Sequence, residues 1–342
     1  MTLKHPYRAL LPLLLIIAGV TLGSVEAGAP LPTEESSQTT GVKAPPPKPI
    51  DSGDGLTINE TLLVNGLVRK AWVHLPSYYS TDQKRPLLIV LHGARLSGWI
   101  AEAATGFDKI ANQENFIVAY PDAIHQQWND GRAPVNNPSA GIDDVGFLTQ
   151  LIDYVNWKYH VAKNKVYIAG FSSGGMLAQK MALEQTDKVA AIATVASSLP
   201  MPQFTLQRMP SRPISVLMIN GTRDRAFPWA GGTTHIVHVK VGPVAPILST
   251  YQYWVKANGG SGDISPRQAT VKKNKIGPSV NLLNTRAHNG SCIILYKING
   301  GGHTWPGSEV PLPYIPFLGK QSRDLNASEL IWEFFKQQHN DC

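Results

Sequence analysis

The chain has 342 residues, 43% of them hydrophobic, and a formal net charge of +7. That is enough apolar material for one large domain with a buried core. The basic residues are scattered apart from the run Lys272-Lys273-Asn274-Lys275, with no basic helix and no basic-aromatic alternation, so a nucleic-acid partner is not expected.

Lys4 and Arg8 precede an apolar run from Ala9 to Leu22, followed by small residues up to Val25-Glu26-Ala27. This is the layout of an export signal over residues 1–27, with cleavage expected after Ala27 or Ala29. The run spans about 14 residues, short of the ~20 that a membrane-crossing helix needs. No stable membrane insertion is therefore expected once the signal is removed. Residues 28–54 are rich in Pro, Ser, Thr and charge and read as a flexible linker. The folded domain is expected over residues 55–342.

Two β-prone runs flank Asn65-Gly66 and predict a hairpin over residues 57–75. Leu87–Leu91 is a continuous apolar run, as in a strand buried on both faces, and it ends in His92-Gly93-Ala94. A helix is predicted around Ile100–Asn112, a strand at Phe116–Tyr120, and a polar loop over residues 121–142. Asp143–Tyr159 reads as a helix, because Phe147, Leu148, Leu151, Ile152 and Val155 recur on one face. Asp143 and Asp144 stand at its start, where carboxylates suit the helix dipole. A strand, the sequence Gly170-Phe171-Ser172-Ser173-Gly174 and a helix follow. Further strands are predicted at Ala190–Ala196, Ile214–Ile219, 268–272, 280–285 and 292–298. Helices are predicted at Pro246–Ala257 and Asn326–His339. Alternating strands and helices give an α/β fold. It is a mostly parallel central sheet with helices on both faces, in a single domain.

Residues 170–174 form a G-x-S-x-G elbow in its required setting of strand, tight turn and helix. Ser172 is the candidate nucleophile. It needs a base and a carboxylate to orient that base. Asp224 follows a buried strand, and His303 sits in a Gly-rich loop after another, in the chain order Ser, Asp, His. The rival carboxylates Asp143 and Asp144 precede the serine. Among the other histidines, His5 lies in the signal, His74 in the hairpin, and His160 and His339 at helix ends. His235 and His238 fall on opposite sides of a strand, so no metal site is expected. The amides of Ser173 and Ala94 are the expected oxyanion hole, and His92 is read as a brace for that loop. This chemistry calls for no cofactor. Cys292 and Cys342, the two cysteines, are candidates for one disulfide.

Leu91-His92-Gly93, Tyr120-Pro121-Asp122, Trp128-Asn129-Asp130-Gly131-Arg132, Asp143-Asp144-Val145-Gly146-Phe147, Gly170–Gly175 and Gly301-Gly302-His303-Thr304-Trp305-Pro306-Gly307 occur in that order. The pattern resembles the secreted polyhydroxybutyrate depolymerase and feruloyl-esterase family of α/β-hydrolases, over roughly residues 55–340. The resemblance implies Ser172 as nucleophile, Asp224 as acid, His303 as base, and the Ala94 and Ser173 amides as oxyanion donors. It also implies Trp128 and Trp305 as aromatic walls of a substrate groove. Many relatives carry Cys where this chain has Ala94. The resemblance implies a secreted serine esterase whose partner is an ester substrate, either a polyester or an esterified polysaccharide. Polyhydroxybutyrate is the first expectation, and feruloyl or acetyl groups on plant polysaccharide are the alternative. A peptidase and a catalytically silent binding protein on the same fold are the other readings. The apolar, proline-stiffened residues 310–318 follow the His303 loop and are a candidate contact for a hydrophobic polymer.

Overall fold

A computed structural model describes residues 53–132, 137, 139–201, 208–236, 239–260, 269–270, 280–287, 289–310 and 318–337. Leu56–Val64 (β1) and Leu67–Leu75 (β2) pair antiparallel around Asn65 and Gly66. Their φ values of 49° and 76° suit the twist of a two-residue hairpin turn. Arg85–Leu91 (β3), Ile117–Pro121 (β4), Val161–Phe171 (β5), Ala191–Val195 (β6) and Ser215–Gly221 (β7) follow. Gly232–Ile236 (β8) and Val239–Val244 (β9) form a separate small hairpin. Ala269–Thr270 (β10), Val280–Arg286 (β11) and Cys292–Ile298 (β12) complete the strands among the described residues.

The main sheet has the order β1-β2-β4-β3-β5-β6-β7-β12-β11-β10. From β4 to β12 the neighbours are parallel, and the two flanks are antiparallel. This is the mostly parallel α/β-hydrolase sheet. Among the described residues the α-helices of eight or more residues are Gly98–Thr105 (α1), Phe107–Glu114 (α2), Asp144–Tyr159 (α3), Ser173–Glu184 (α4), Ile247–Ala257 (α5) and Ala327–Lys336 (α6).

The period of two along each strand divides the core between the faces. Leu87, Ile89 and Leu91 pack with Phe147 and Leu151 of α3, Met181 of α4 and Trp254 of α5. Leu88 and Val90 pack on the other face with Phe107 of α2 and Trp332 and Phe335 of α6. Each fully buried side chain of this size contributes about 1.5–3 kcal/mol. Because every central strand is covered twice, the free surface for chemistry lies at the strand ends.

The single helix expected over 100–112 is two. Gly106, at φ 62°, closes α1 by donating its N–H to the Glu102 carbonyl, and α2 starts at the next residue. The break turns Phe107 into the core, edge-on to Trp305 at 6.1 Å.

The same break brings two carboxyls together beneath the hairpin. Thr57 Oγ1 donates to Glu102 Oε1 at 3.1 Å, and the Tyr120 hydroxyl donates to Asp108 Oδ1 at 2.6 Å. The buried His74 imidazole stands 3.5 Å from Asp108 Oδ2. Burial, and then the hydrogen bond and charge of Asp108, push Glu102 from its ordinary 4.5 up to about 7. A folded-state value above the unfolded one stabilises the fold fully below the unfolded pKa, and that stabilisation is lost as pH rises through the folded pKa. Glu102→Gln is therefore expected to raise Tm relative to the native chain at about pH 8.5, and to raise it less at about pH 5.5. A thermal-unfolding difference that is the same at both pH values would count against a proton shared by this pair.

Candidate active site

The strand β5 ends at Phe171 and α4 begins at Ser173, leaving Ser172 alone in the turn. Its backbone sits at φ 56°, ψ −121°. A non-glycine residue held there costs on the order of 1–3 kcal/mol, and the surroundings must enforce it. Here the Ser172 N–H donates to the Val195 carbonyl at 2.9 Å, and the Ser172 carbonyl accepts from the Gly175 and Met176 amides at 3.0 and 3.2 Å. The turn closes only because two neighbours lack side chains. A Cβ on Gly170 would lie 2.3 Å from the Gly174 carbonyl oxygen, and one on Gly174 would lie 2.3 Å from that of Leu91. The elbow is thus pressed against the end of β3.

The loop after β3 passes close to Ser172, since a Cβ on Gly93 would fall 3.2 Å from Ser172 Cβ. His92 determines how this loop is oriented. Its Nδ1 donates to the Gly93 carbonyl at 2.7 Å, and its Nε2 accepts from the Ala123 amide at 3.1 Å. That pattern requires one particular neutral tautomer. Burial lowers the imidazole to about 4, which keeps it neutral. The Leu96 amide also donates to the Gly93 oxygen, at 3.1 Å. In a trans peptide the C=O and N–H point in opposite directions. Fixing the Gly93 oxygen therefore fixes the direction of the Ala94 N–H, the candidate oxyanion donor. The second candidate, Ser173, is the first residue of α4, where amides are free of helical acceptors.

Asp224 and His303 come from the loops after β7 and β12, which are parallel neighbours. The backbones of these loops are tied directly, with the Thr222 amide donating to Ile298 and the Arg223 amide to Gly301, each at 2.9 Å. Asp224 Oδ1 accepts from the Ala226 and Phe227 amides at 2.8 and 2.7 Å. Its Oδ2 faces His303 Nδ1 at 2.8 Å. Both side chains are buried. The His303 ring lies between Phe227, nearly coplanar in stacking at 5.4 Å, and Phe171 at 4.8 Å. With Nδ1 engaged by the carboxylate, Nε2 is the nitrogen left for proton transfer.

A strained serine at a glycine elbow and a buried Asp–His pair on the adjoining strand ends are the parts of a serine hydrolase. Comparison with known proteins agrees. Residues 66–240 match the family model "Esterase: Putative esterase". The chain belongs to this esterase family. A relative named "Putative esterase NocK", from Nocardia uniformis subsp. tsuyamanensis, is 28% identical over 96% of this chain and 97% of its own length. "Feruloyl esterase B" of Piromyces equi is 30% identical over 69% of this chain, and the match spans 42% of that larger protein. Among solved structures, an acetyl xylan esterase from Aspergillus awamori superposes with a TM-score of 0.53 at 14% identity. It covers 82% of this chain and 99% of its own, a likeness of fold. The protein is thus a carboxylic ester hydrolase of the serine class.

The two tryptophans expected as groove walls occupy other positions in the esterase. Trp128 has no exposed surface and Trp305 is 2% exposed. Trp128 Nε1 donates to the His92 carbonyl at 2.8 Å, and its ring lies 4.8 Å from that imidazole. Trp305 Nε1 donates to Ser328 Oγ at 3.0 Å, and its ring packs edge-on to Phe171. Both therefore support the candidate site from behind, one under the Ala94 loop and one under the His303 loop. The exposed indole of this region is Trp99, at 58%, in the first turn of α1. The signal for it in the sequence was only its place, five residues after Ala94.

Cys292 of the esterase is disulfide-bonded, and the other cysteine of the chain, Cys342, lies outside the described residues. Residues 311–317, most of the apolar segment singled out above, also lie outside them, as does His238 of the His235/His238 pair. Among the described residues no cluster of His, Cys, Asp and Glu has the make-up of a metal site, and no helix is long and apolar enough to cross a membrane.

Proposed function

We propose that this esterase is exported and removes feruloyl or acetyl groups from a plant polysaccharide through a Ser172 acyl-enzyme. The catalytic half rests on one observation, the 2.8 Å contact of His303 Nδ1 with Asp224 at the edge where Ser172 is exposed to strain. His303 Nε2 takes the Ser172 proton as Oγ attacks the ester carbonyl. The Ser173 and Ala94 amides receive the charge that develops on the carbonyl oxygen. The imidazolium then protonates the leaving alcohol, and water repeats the sequence on the acyl-enzyme to release the acid. Asp224 holds the imidazole in the tautomer that has Nε2 free. The substrate half draws on the feruloyl esterase that matches 69% of the chain. Export is supported by the basic, then apolar N-terminal segment and by the disulfide at Cys292, which suits an oxidising compartment.

Hydroxyalkanoate polyester is the second reading, favoured by a relative named "Poly(3-hydroxybutyrate) depolymerase", from Ralstonia pickettii, that is 29% identical over 40% of this chain. Purified enzyme should release ferulate from methyl ferulate or acetate from acetylated xylan faster than it releases 3-hydroxybutyrate from its oligomers. Release of 3-hydroxybutyrate alone would overturn the polysaccharide reading and establish the second.

A further inference from the structure

The carboxyl edge of the sheet carries a charge pattern that the acyl-enzyme chemistry does not use. Most arginines of the fold have side-chain partners. Arg69 binds Asp144, Arg85 binds Asn115, Arg132 binds Asp130, Arg208 binds Glu184, Arg212 binds the Thr186 carbonyl, and Arg286 is also engaged. Among the described residues, those with no side-chain partner are Arg95, Arg223, Arg225 and Arg323. All four are exposed, and all four lie on loops that leave the carboxyl ends of parallel strands.

Three of them are adjacent in sequence to the reaction machinery. Arg95 follows Ala94, and Arg223 and Arg225 bracket Asp224. Lys320, also exposed, adds a fourth base, because its carbonyl accepts the Gly302 amide at 2.8 Å beside His303. Arg95 is further held at φ 63°, in the left-handed region, with its amide donating to the Gln126 carbonyl at 2.8 Å. Gln126 and the exposed His125 share that backbone region, at φ 55° and 54°. The carboxylates on the same loops are largely committed. Asp122 accepts from the Gly98 amide, Asp130 pairs with Arg132, and Asp224 serves His303. Glu309 and Arg323 line one groove together, and Asp324 stands beside Arg323 on the same loop.

We propose that Arg95, Arg223, Arg225 and Lys320 form a cationic mouth that selects esters carrying a carboxylate near the scissile bond. This rests on the acyl-enzyme reading and narrows its substrate class. Unpaired guanidinium groups around a cleft raise the local concentration of anions, and the fixed fork of each suits a carboxylate. Two sources present that chemistry. One is a polysaccharide bearing uronic acid beside its acyl groups, and the other is a hydroxy-acid oligomer with a free terminal carboxylate.

The experiment measures kcat/KM on matched pairs. Acetylated glucuronoxylan is compared with acetylated neutral xylan, and the free acid of a 3-hydroxybutyrate trimer with its methyl ester. In the native enzyme the anionic member of at least one pair should be preferred. That preference should fall roughly 10-fold when salt is raised to several times the ionic strength that screens a charge beyond about 10 Å. The triple variant Arg95→Gln/Arg223→Gln/Arg225→Gln should lose the preference to a similar extent, and Arg95→Gln alone should lose part of it. The pair that responds identifies the source of the carboxylate. Equal rates within both pairs, or a preference indifferent to salt in the native enzyme, would overturn the proposal whether or not the triple variant folds. Failure of every ester together with no fluorophosphonate labelling of Ser172 would instead remove the acyl-enzyme reading on which it stands.

Discussion

Ser172→Ala is expected to lower kcat by about a hundred-thousand-fold or more, because a nucleophile, its base and its orienting acid act as one unit. The fold should survive the change. The contacts that hold the elbow are backbone contacts, from the Ser172 amide to Val195 and from the Gly175 and Met176 amides to the Ser172 carbonyl. Alanine keeps all of them and also keeps the strain of φ 56°, ψ −121°. Glycine releases that strain, so Ser172→Gly should be equally inactive yet melt above Ser172→Ala. This reverses the usual ranking of the two residues. Steady-state kinetics on a soluble ester, with calorimetry on both variants, checks each part. Turnover retained within ten-fold in the alanine variant would end the nucleophile assignment. A lower Tm for the glycine variant would show that the turn stores no strain.

Asp224→Asn should lower kcat by about ten-thousand-fold with little change in KM. The reason lies in how the carboxylate is held. Oδ1 accepts two backbone amides, from Ala226 and Phe227, at 2.8 and 2.7 Å. An asparagine satisfies those donors only with its carbonyl oxygen, so its NH2 group must face His303 Nδ1. That nitrogen then accepts instead of donating, the ring proton moves to Nε2, and Nε2 can no longer take the Ser172 proton. Nitrogen-15 NMR of the imidazole, read beside kcat, separates this cause from a general loosening of the loop. A kcat loss below about ten-fold, or a ring still protonated at Nδ1, would take Asp224 out of its orienting role.

Much of this arrangement was legible from residue patterns whose physical cause is local. Strand, G-x-S-x-G and helix can coexist only in an elbow, since a Cβ on Gly170 or on Gly174 would lie 2.3 Å from a backbone oxygen. Asp224 and His303 were legible because each follows an apolar run that had to be a buried strand, and parallel strands bring their carboxyl ends to one edge. What stayed hidden depended on burial, which motifs do not encode. An indole in a polar loop reads as a binding surface, yet His92 and Ser328 satisfy the Trp128 and Trp305 N–H groups inside the protein. Asp144 looked like a helix-start charge. It is buried instead, accepting from Arg69 and from the Asn129 amide at 2.6 Å each, and so ties β2 to the loop under the oxyanion residues. Likewise Gly106 lay within a helical pattern, and only the packing of Phe107 explains why the helix breaks there.

The close approaches at Gly170 and Gly174 also bear on how such an enzyme changes over generations. Ser172 is held by main-chain contacts that admit almost no substitution at Gly170 and Gly174, whereas Arg95, Trp99, His125 and Arg225 stand on the same edge with exposed side chains. If the proposed cationic mouth selects substrate, mutations there are expected to alter what enters without disturbing what reacts. The scaffold can thus drift from one ester to another through single replacements on its rim, each starting from a working catalyst.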